Sequence, residues 1–560
     1  MSLSGAPAAH FDESRPGFLS RERTVAKPGF NRWLVPPAAL AIHLCIGMAY
    51  GLSVFWLPLS RALSVGAAAP AACPDMSVLT ALVTTSCDWR VSDLVIVFSI
   101  GIVMLGISAA LFGGWLERAG PRKAGLAAAL CWSGGFLIGA LGVYLHQLWL
   151  IWLGMGLIGG IGLGLGYISP VSTLIKWFPD RRGMATGMAI MGFGGGAMIG
   201  SPLADTLIKT FRTPDTAGVW QALAVMGIGY FAFMVSGALG YRVPPAGWRP
   251  EGWTPPAAKN TMIASGHVHL DQAHKTPQFW LLWLVLCLNV SAGIGVLALA
   301  SPMLQEIFGG GLIGRPGIAL AQLDAAEKGQ VAAIAAGFVG LLSLFNILGR
   351  FFWAARSDRI GRKTTYAIFF GVGLVLYAAA PWAAGLGSTA LFVGMFCIIL
   401  SMYGGGFATI PAYLADVFGT QFVGAIHGRL LTAWSTAGVV GPLVVTAIRQ
   451  HQVDAGVQGL DLYSRTMLVL AAFLAAGFLC NLLVRPLARH WFMDEAQVKG
   501  LESKPAPVGT AAIGAAPGGA SQGIGRGGVT PAALLAWAVV GLPILWGIWI
   551  TLAKALILFR

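Results

Sequence analysis

Glu117-Arg118-Ala119-Gly120, inside GGWLERAGPRK at 113–123, returns as Asp358-Arg359-Ile360-Gly361, inside ARSDRIGRK at 355–363. The same offset of 241 positions carries Pro170 to Pro411, Gly183 to Gly424 and Gly187 to Gly428. Four short matches at one spacing, each in the equivalent place between or within apolar runs, mark a duplicated unit. Outward from these two stretches the chain is overwhelmingly apolar. Its 560 residues are 56% hydrophobic and only 10% charged, too few charges to cover a soluble domain of this size.

A bilayer core of roughly 30 Å needs a run of about 20 apolar residues. Runs of that length lie at 33–59, 93–114, 124–144, 148–173, 184–206 and 218–240, and again at 277–303, 329–354, 366–386, 389–413, 425–448 and 465–486, with one more at 531–553. Backbone groups must find partners inside lipid, so spans of this length are helices; barrel strands would be about half as long and alternating. The expected fold class is an all-α polytopic membrane protein: two six-helix bundles at 33–240 and 277–490, and one additional C-terminal transmembrane helix in 531–560. Residues 1–32 read as a cytoplasmic N-terminal tail with Arg15, Arg21, Arg23 and Lys27 and no cleavable signal. Segment 241–276, rich in Pro, Gly and charge, reads as a cytoplasmic linker, and 491–530 as a flexible one.

Lys and Arg set the orientation. With the N-terminus inside, the inner loops hold Arg118, Arg122 and Lys123, then Lys176, Arg181 and Arg182, then Arg356, Arg359, Arg362 and Lys363. The net charge of +14 follows from this topology and calls for no nucleic-acid partner. Cys45, Cys131, Cys287, Cys397 and Cys480 fall in apolar spans as packing residues. Cys73 and Cys87 share the first outer loop, where an oxidising compartment permits a disulfide. Neither Cys nor His shows metal-ligand spacing, and no cofactor is expected. An enzyme is not expected either, because the spans hold no paired carboxylates and no nucleophile with a positioned base. GGIGLGLG at 159–166 lies mid-helix with no strand before it, which suits close helix packing rather than a nucleotide loop.

The two repeated stretches resemble the cytoplasmic signature of the major facilitator superfamily, once per half. The resemblance covers about 30–490 and implies a major-facilitator fold. It also implies that Glu117, Arg118, Gly120, Asp358, Arg359 and Gly361 form gating loops. Gly47 to Leu59, Gly166 to Gly183 and Asn346 to Lys363 are similar to the oxalate/formate antiporter branch, which includes bacterial monocarboxylate carriers. Residues 531–558 resemble the small single-helix protein that accompanies some members. The inner membrane of a bacterial cell is the implied location.

A cation inside a membrane helix is costly and marks a functional site by default. Arg350 lies about two turns before Asp358, with Asn346 one turn earlier on the same face. A guanidinium fork beside an amide suits a carboxylate, although an arginine near a span's end also snorkels to the surface. Tyr50, Tyr167, Tyr403 and Phe407 occupy positions resembling the family's substrate-lining aromatics. Relatives that carry oxalate place a second cation in the eleventh helix, where this chain has Trp434. Desolvating a second carboxylate without a partner costs on the order of several kcal/mol, which favours monoanions such as lactate, pyruvate or formate over oxalate. His43 is the sole span residue read as a proton site. Competing readings are an efflux carrier of an unrelated small molecule and a carboxylate sensor. The extra helix is expected to dock on its own bundle.

Overall fold

The computed structural model describes residues 17–65, 71, 73, 76–245, 247–254, 262–494, 496–498 and 530–555. Among them, 13 helices are long and apolar enough to cross a membrane, and the only β-pairing is in isolated bridges. In chain order these are α1 (Arg32–Leu59), α2 (Val91–Ala119), α3 (Pro121–Tyr144), α4 (Leu148–Trp177), α5 (Arg182–Phe211) and α6 (Val219–Gly240). The second half holds α7 (Pro277–Phe308), α8 (Ala325–Ile360), α9 (Arg362–Gly385), α10 (Thr389–Phe418), α11 (Val423–Asp454) and α12 (Asp461–Leu483), followed by α13 (Pro531–Ala555). Most of the expected 491–530 linker, and the first half of the expected N-terminal tail, lie outside the described residues.

Several helices outrun their apolar stretches. The eighth span, expected at 329–354, is a helix from Ala325 to Ile360. Asp324 opens it by accepting from the Glu327 backbone N–H while Glu327 reaches back, a reciprocal cap that no hydropathy reading registers. At the other end the signature residues prove to be helix rather than loop. Glu117 and Asp358 sit in the last turns of α2 and α8, and the turns themselves are made by Gly120 and Gly361 at φ +87° and +86°. Only glycine adopts that backbone without strain, and each is followed at once by the next helix.

The halves meet through small residues placed by the repeat. A Cβ on Gly187 of α5 would stand 2.9 Å from the Arg350 carbonyl oxygen of α8, and its repeat mate Gly428 of α11 lies against the carbonyl of Ala109 in α2. Ala109 and Arg350 are themselves 241 positions apart, so the two seams are the same contact used twice. Without hydrophobic drive between helices in lipid, this close backbone approach is what van der Waals cohesion needs.

On the face opposite the signatures, Cys73 and Cys87 are joined in a disulfide with Cα atoms 4.9 Å apart. His146 stacks flat on Trp89 at 3.9 Å and donates from Nε2 to the Cys87 carbonyl at 2.9 Å. Burial pushes this imidazole below its usual range, against the opposing pull of that carbonyl.

Candidate functional site

Arg350 is fully buried at the boundary between the halves. Its position on α8 follows from helix geometry: four residues after Asn346, it brings Nε to 3.1 Å from the Asn346 Oδ1. Nη1 crosses to the other half and donates to the Ile190 carbonyl of α5 at 3.2 Å. Nη2 has no hydrogen-bond partner among the described residues. A buried guanidinium with one uncommitted N–H edge is built to receive an acceptor, and a carboxylate matches that edge in shape and charge.

Rings enclose the cation. Its Cζ stands 5.3 Å from the Phe407 centroid and 5.8 Å from that of Phe193. Trp434 lies 4.8 Å from Phe407, 5.5 Å from Phe193 and 5.9 Å from Tyr167. Tyr50 touches Phe193 at 5.1 Å, and its hydroxyl is 3.5 Å from that of Tyr403. The Tyr167 hydroxyl and the Trp434 Nε1 are buried donors without partners among the described residues. Three uncommitted donors from three helices, held by rings that exclude water, strengthen one another's pull on an anion through the low local dielectric.

A cavity of about 550 Å³ opens away from the signature face, between the halves. Tyr50 and Asn346 belong to its lining and Arg350 does not. Asn346 therefore links the open vestibule to the cation below it. On the signature face the path is shut. Asp358 accepts from the backbone N–H of Gly183 at 2.8 Å and of Met184 at 2.9 Å, capping α5 from the opposite half. Arg362 pairs with Asp358 at 2.6 Å and with Asp416 at 3.3 Å, and Arg182 reaches across to Asp416 at 3.1 Å. Glu117 differs from its repeat mate in that its hydrogen bonds stay within its own half, accepting from Lys176 at 2.6 Å and Ser172 at 3.1 Å, while its carboxylate only abuts Gly424 of α11. Arg118 and Arg359 are exposed and stand apart from this network.

Thus the seven residues expected around a substrate, Arg350, Asn346, Tyr50, Tyr167, Tyr403, Phe407 and Trp434, come together from α1, α4, α8, α10 and α11. Sequence reasoning missed Phe193, although it sits 241 positions before Trp434 and faces it. It also passed over Arg182, Arg362 and Asp416 as latch residues, having read the two arginines as topology signals. His43 makes close contacts to two backbone carbonyls, Ala189 at 2.5 Å and Tyr167 at 3.2 Å, which marks a packing position. It is not alone in the spans. His427 is fully buried 5.7 Å from Tyr167, with neither ring nitrogen hydrogen-bonded among the described residues. It lies inside the span expected at 425–448 but was not singled out there; the helix itself begins at Val423.

Two six-helix bundles closed at one face and open at the other, around a buried cation, define a membrane transporter. The chain belongs to the Major Facilitator Superfamily, whose family profile matches residues 42–442. It is 29% identical over 288 residues to the oxalate:formate antiporter of Oxalobacter formigenes, a match covering 51% of this chain and 59% of that protein. Apicoplast pyruvate carrier 1 of Toxoplasma gondii is 24% identical over 415 residues, covering 64% and 70%. Among solved structures, the superfamily transporter FucP in its outward conformation aligns with a TM-score of 0.55 at 14% identity, over 81% of this chain and 100% of that one. The proton:xylose symporter XylE aligns at 0.54 and 16% identity, over 81% and 95%. These neighbours are transporters, and the protein is a multi-pass membrane protein of the same fold.

Proposed function

We propose that this protein carries small organic monoanions, such as lactate, pyruvate or formate, by alternating access. The observation that carries the reading is Arg350: a fully buried guanidinium on the pseudo-twofold boundary, with Nη2 uncommitted and Asn346 joining it to the vestibule. The named activities of the similar oxalate:formate antiporter and pyruvate carrier support a carboxylate. Trp434 in place of a second cation supports one negative charge rather than two. In this reading a carboxylate descends past Asn346, takes the Arg350 edge and the Tyr167 hydroxyl, and neutralises the charge that keeps the halves from rocking.

The latch formed by Asp358, Arg182 and Asp416 then opens on what the basic loops mark as the cytoplasmic side, in the inner membrane of a bacterial cell. The lipid bilayer and the anion are its partners, and α13 docks on its own bundle. Uptake of labelled lactate, formate and oxalate into proteoliposomes tests this. Saturable uptake of a monoanion, lost in Arg350→Ala protein that still reconstitutes, is the expected result. Transport by the variant at the native rate would sink the anion site.

A further inference from the structure

Every third or fourth residue of α13 faces inward: Ala533, Trp537, Val540, Ile544, Gly547 and Thr551 form one stripe, while Leu535, Leu542, Leu545 and Trp549 face away. The stripe crosses the boundary between the halves. Near its start, Trp537 Nε1 donates to the Trp33 carbonyl of α1 at 3.2 Å. In the middle, Val540 and Ile544 pack with Leu40, Ala41 and Leu44 of α1 and Ile199 of α5. Gly547 lets the helix close on α5, where an added Cβ would meet Met198 at 3.1 Å. The most extensive packing of α13 is on α8 of the other half, where the Thr551 methyl lies against Gly340.

Ile550 and Thr551 also line the vestibule, beside Met198, Ser201 and Pro202 of α5 and Ala336, Gly340 and Ser343 of α8. Thr551 is only 8% exposed, a polar residue three positions before Lys554 in the last turns of the helix. We propose that α13 is part of the transport pathway: its last turns wall the vestibule at the α5–α8 seam, shielding an entering anion from lipid, and Thr551 presents its side chain to the anion's path. Two features require such a wall. The vestibule is lined by both halves, so any opening of the halves on that face parts α5 from α8. An anion entering through a seam open to hydrocarbon would meet a solvation cost that no ring of that seam could offset. A helix packed on α1 and α5 of one half and, most extensively of the three, on α8 of the other spans the seam and closes it.

The inference rests on the anion-carrier reading only for its transport readout. In full-length protein with the five unpaired cysteines changed to alanine, Thr551→Cys, Ser343→Cys and Trp549→Cys are treated, from the face opposite the signatures, with an anionic membrane-impermeant methanethiosulfonate. Mass spectrometry reads the modification and proteoliposome uptake reads transport. Thr551→Cys and Ser343→Cys are expected to be modified and Trp549→Cys spared, with modified Thr551→Cys losing at least about fivefold in lactate uptake. In parallel, Gly547→Leu is expected to slow uptake by at least about fivefold, whereas Gly541→Leu, at a glycine with open space around it, transports as the native chain. A Thr551→Cys chain as inert as Trp549→Cys while Ser343→Cys reacts overturns the wall, and so does Gly547→Leu behaving as Gly541→Leu. Failure of Ser343→Cys to react overturns it as well, since the vestibule is then not open. Modification of Thr551→Cys in a protein that moves none of the anions leaves the wall standing and removes the substrate assignment.

Discussion

At the scale of single residues, the monoanion proposal turns on charge balance. Arg350 offers one positive charge, already hydrogen-bonded on two sides, and the position where a second charge would sit is Trp434, 4.8 Å from Phe407. Placing a cation there supplies a second carboxylate with a partner it now lacks. Trp434→Lys is therefore expected to let oxalate compete with labelled lactate for uptake, where native protein ignores it. Lactate affinity should fall by about tenfold as the cage loses its largest ring. Oxalate competing equally with native protein would remove Trp434 as the charge selector. Arg350 and Asn346 were legible in the sequence because a membrane cation with a polar neighbour one turn away is a strong local signal. His427 was not, because its burial comes from helices distant in the chain, Tyr167 of α4 among them.

At the scale of elements, the glycines of α5 and α11 are what the duplication preserved. Gly187 and Gly428 bring one half's backbone against the other's at equivalent points, leaving no room for a side chain. Gly187→Val or Gly428→Val overpacks the seam, a change that costs about 1–3 kcal/mol where the neighbour is backbone that cannot swing away. Either substitution is expected to reduce uptake by about tenfold, while Gly371→Ala, at a glycine with nothing within 4 Å, is neutral. Equal activity in all three variants would mean that the seams are slack. The offset of 241 was readable in the sequence, and the seam it builds was not, since spacing along a chain does not say which helix lies opposite.

For the whole molecule, the balance between open faces rests on a latch confined largely to one half-pair. Asp358 caps α5 across the boundary, whereas Glu117 turns to Lys176 within its own half. Asp358→Asn removes the pairing with Arg362 and turns one acceptor toward a backbone N–H as a donor, a loss of about 1–3 kcal/mol from the closed signature face. Because about 1.4 kcal/mol is a tenfold change in population, that face is expected to open in a substantial share of molecules. Spin labels on exposed Arg118 and Arg359, one in each half, should then gain a longer distance. An unchanged distance distribution would place the latch elsewhere.

The sequence by itself determined the fold class, the thirteen spans, the duplication and the identity of the buried cation. Each rests on hydrophobic length, charge placement or repetition, and these are properties of the chain read in order. Only the tertiary structure decided that Phe193 completes the aromatic cage, that Asp358 rather than Glu117 hydrogen-bonds across the halves, and that α13 reaches the vestibule. Those facts depend on which helices become neighbours, and between apolar helices in lipid that choice is made by the fit of small residues against backbone, summed over surfaces distant in the chain.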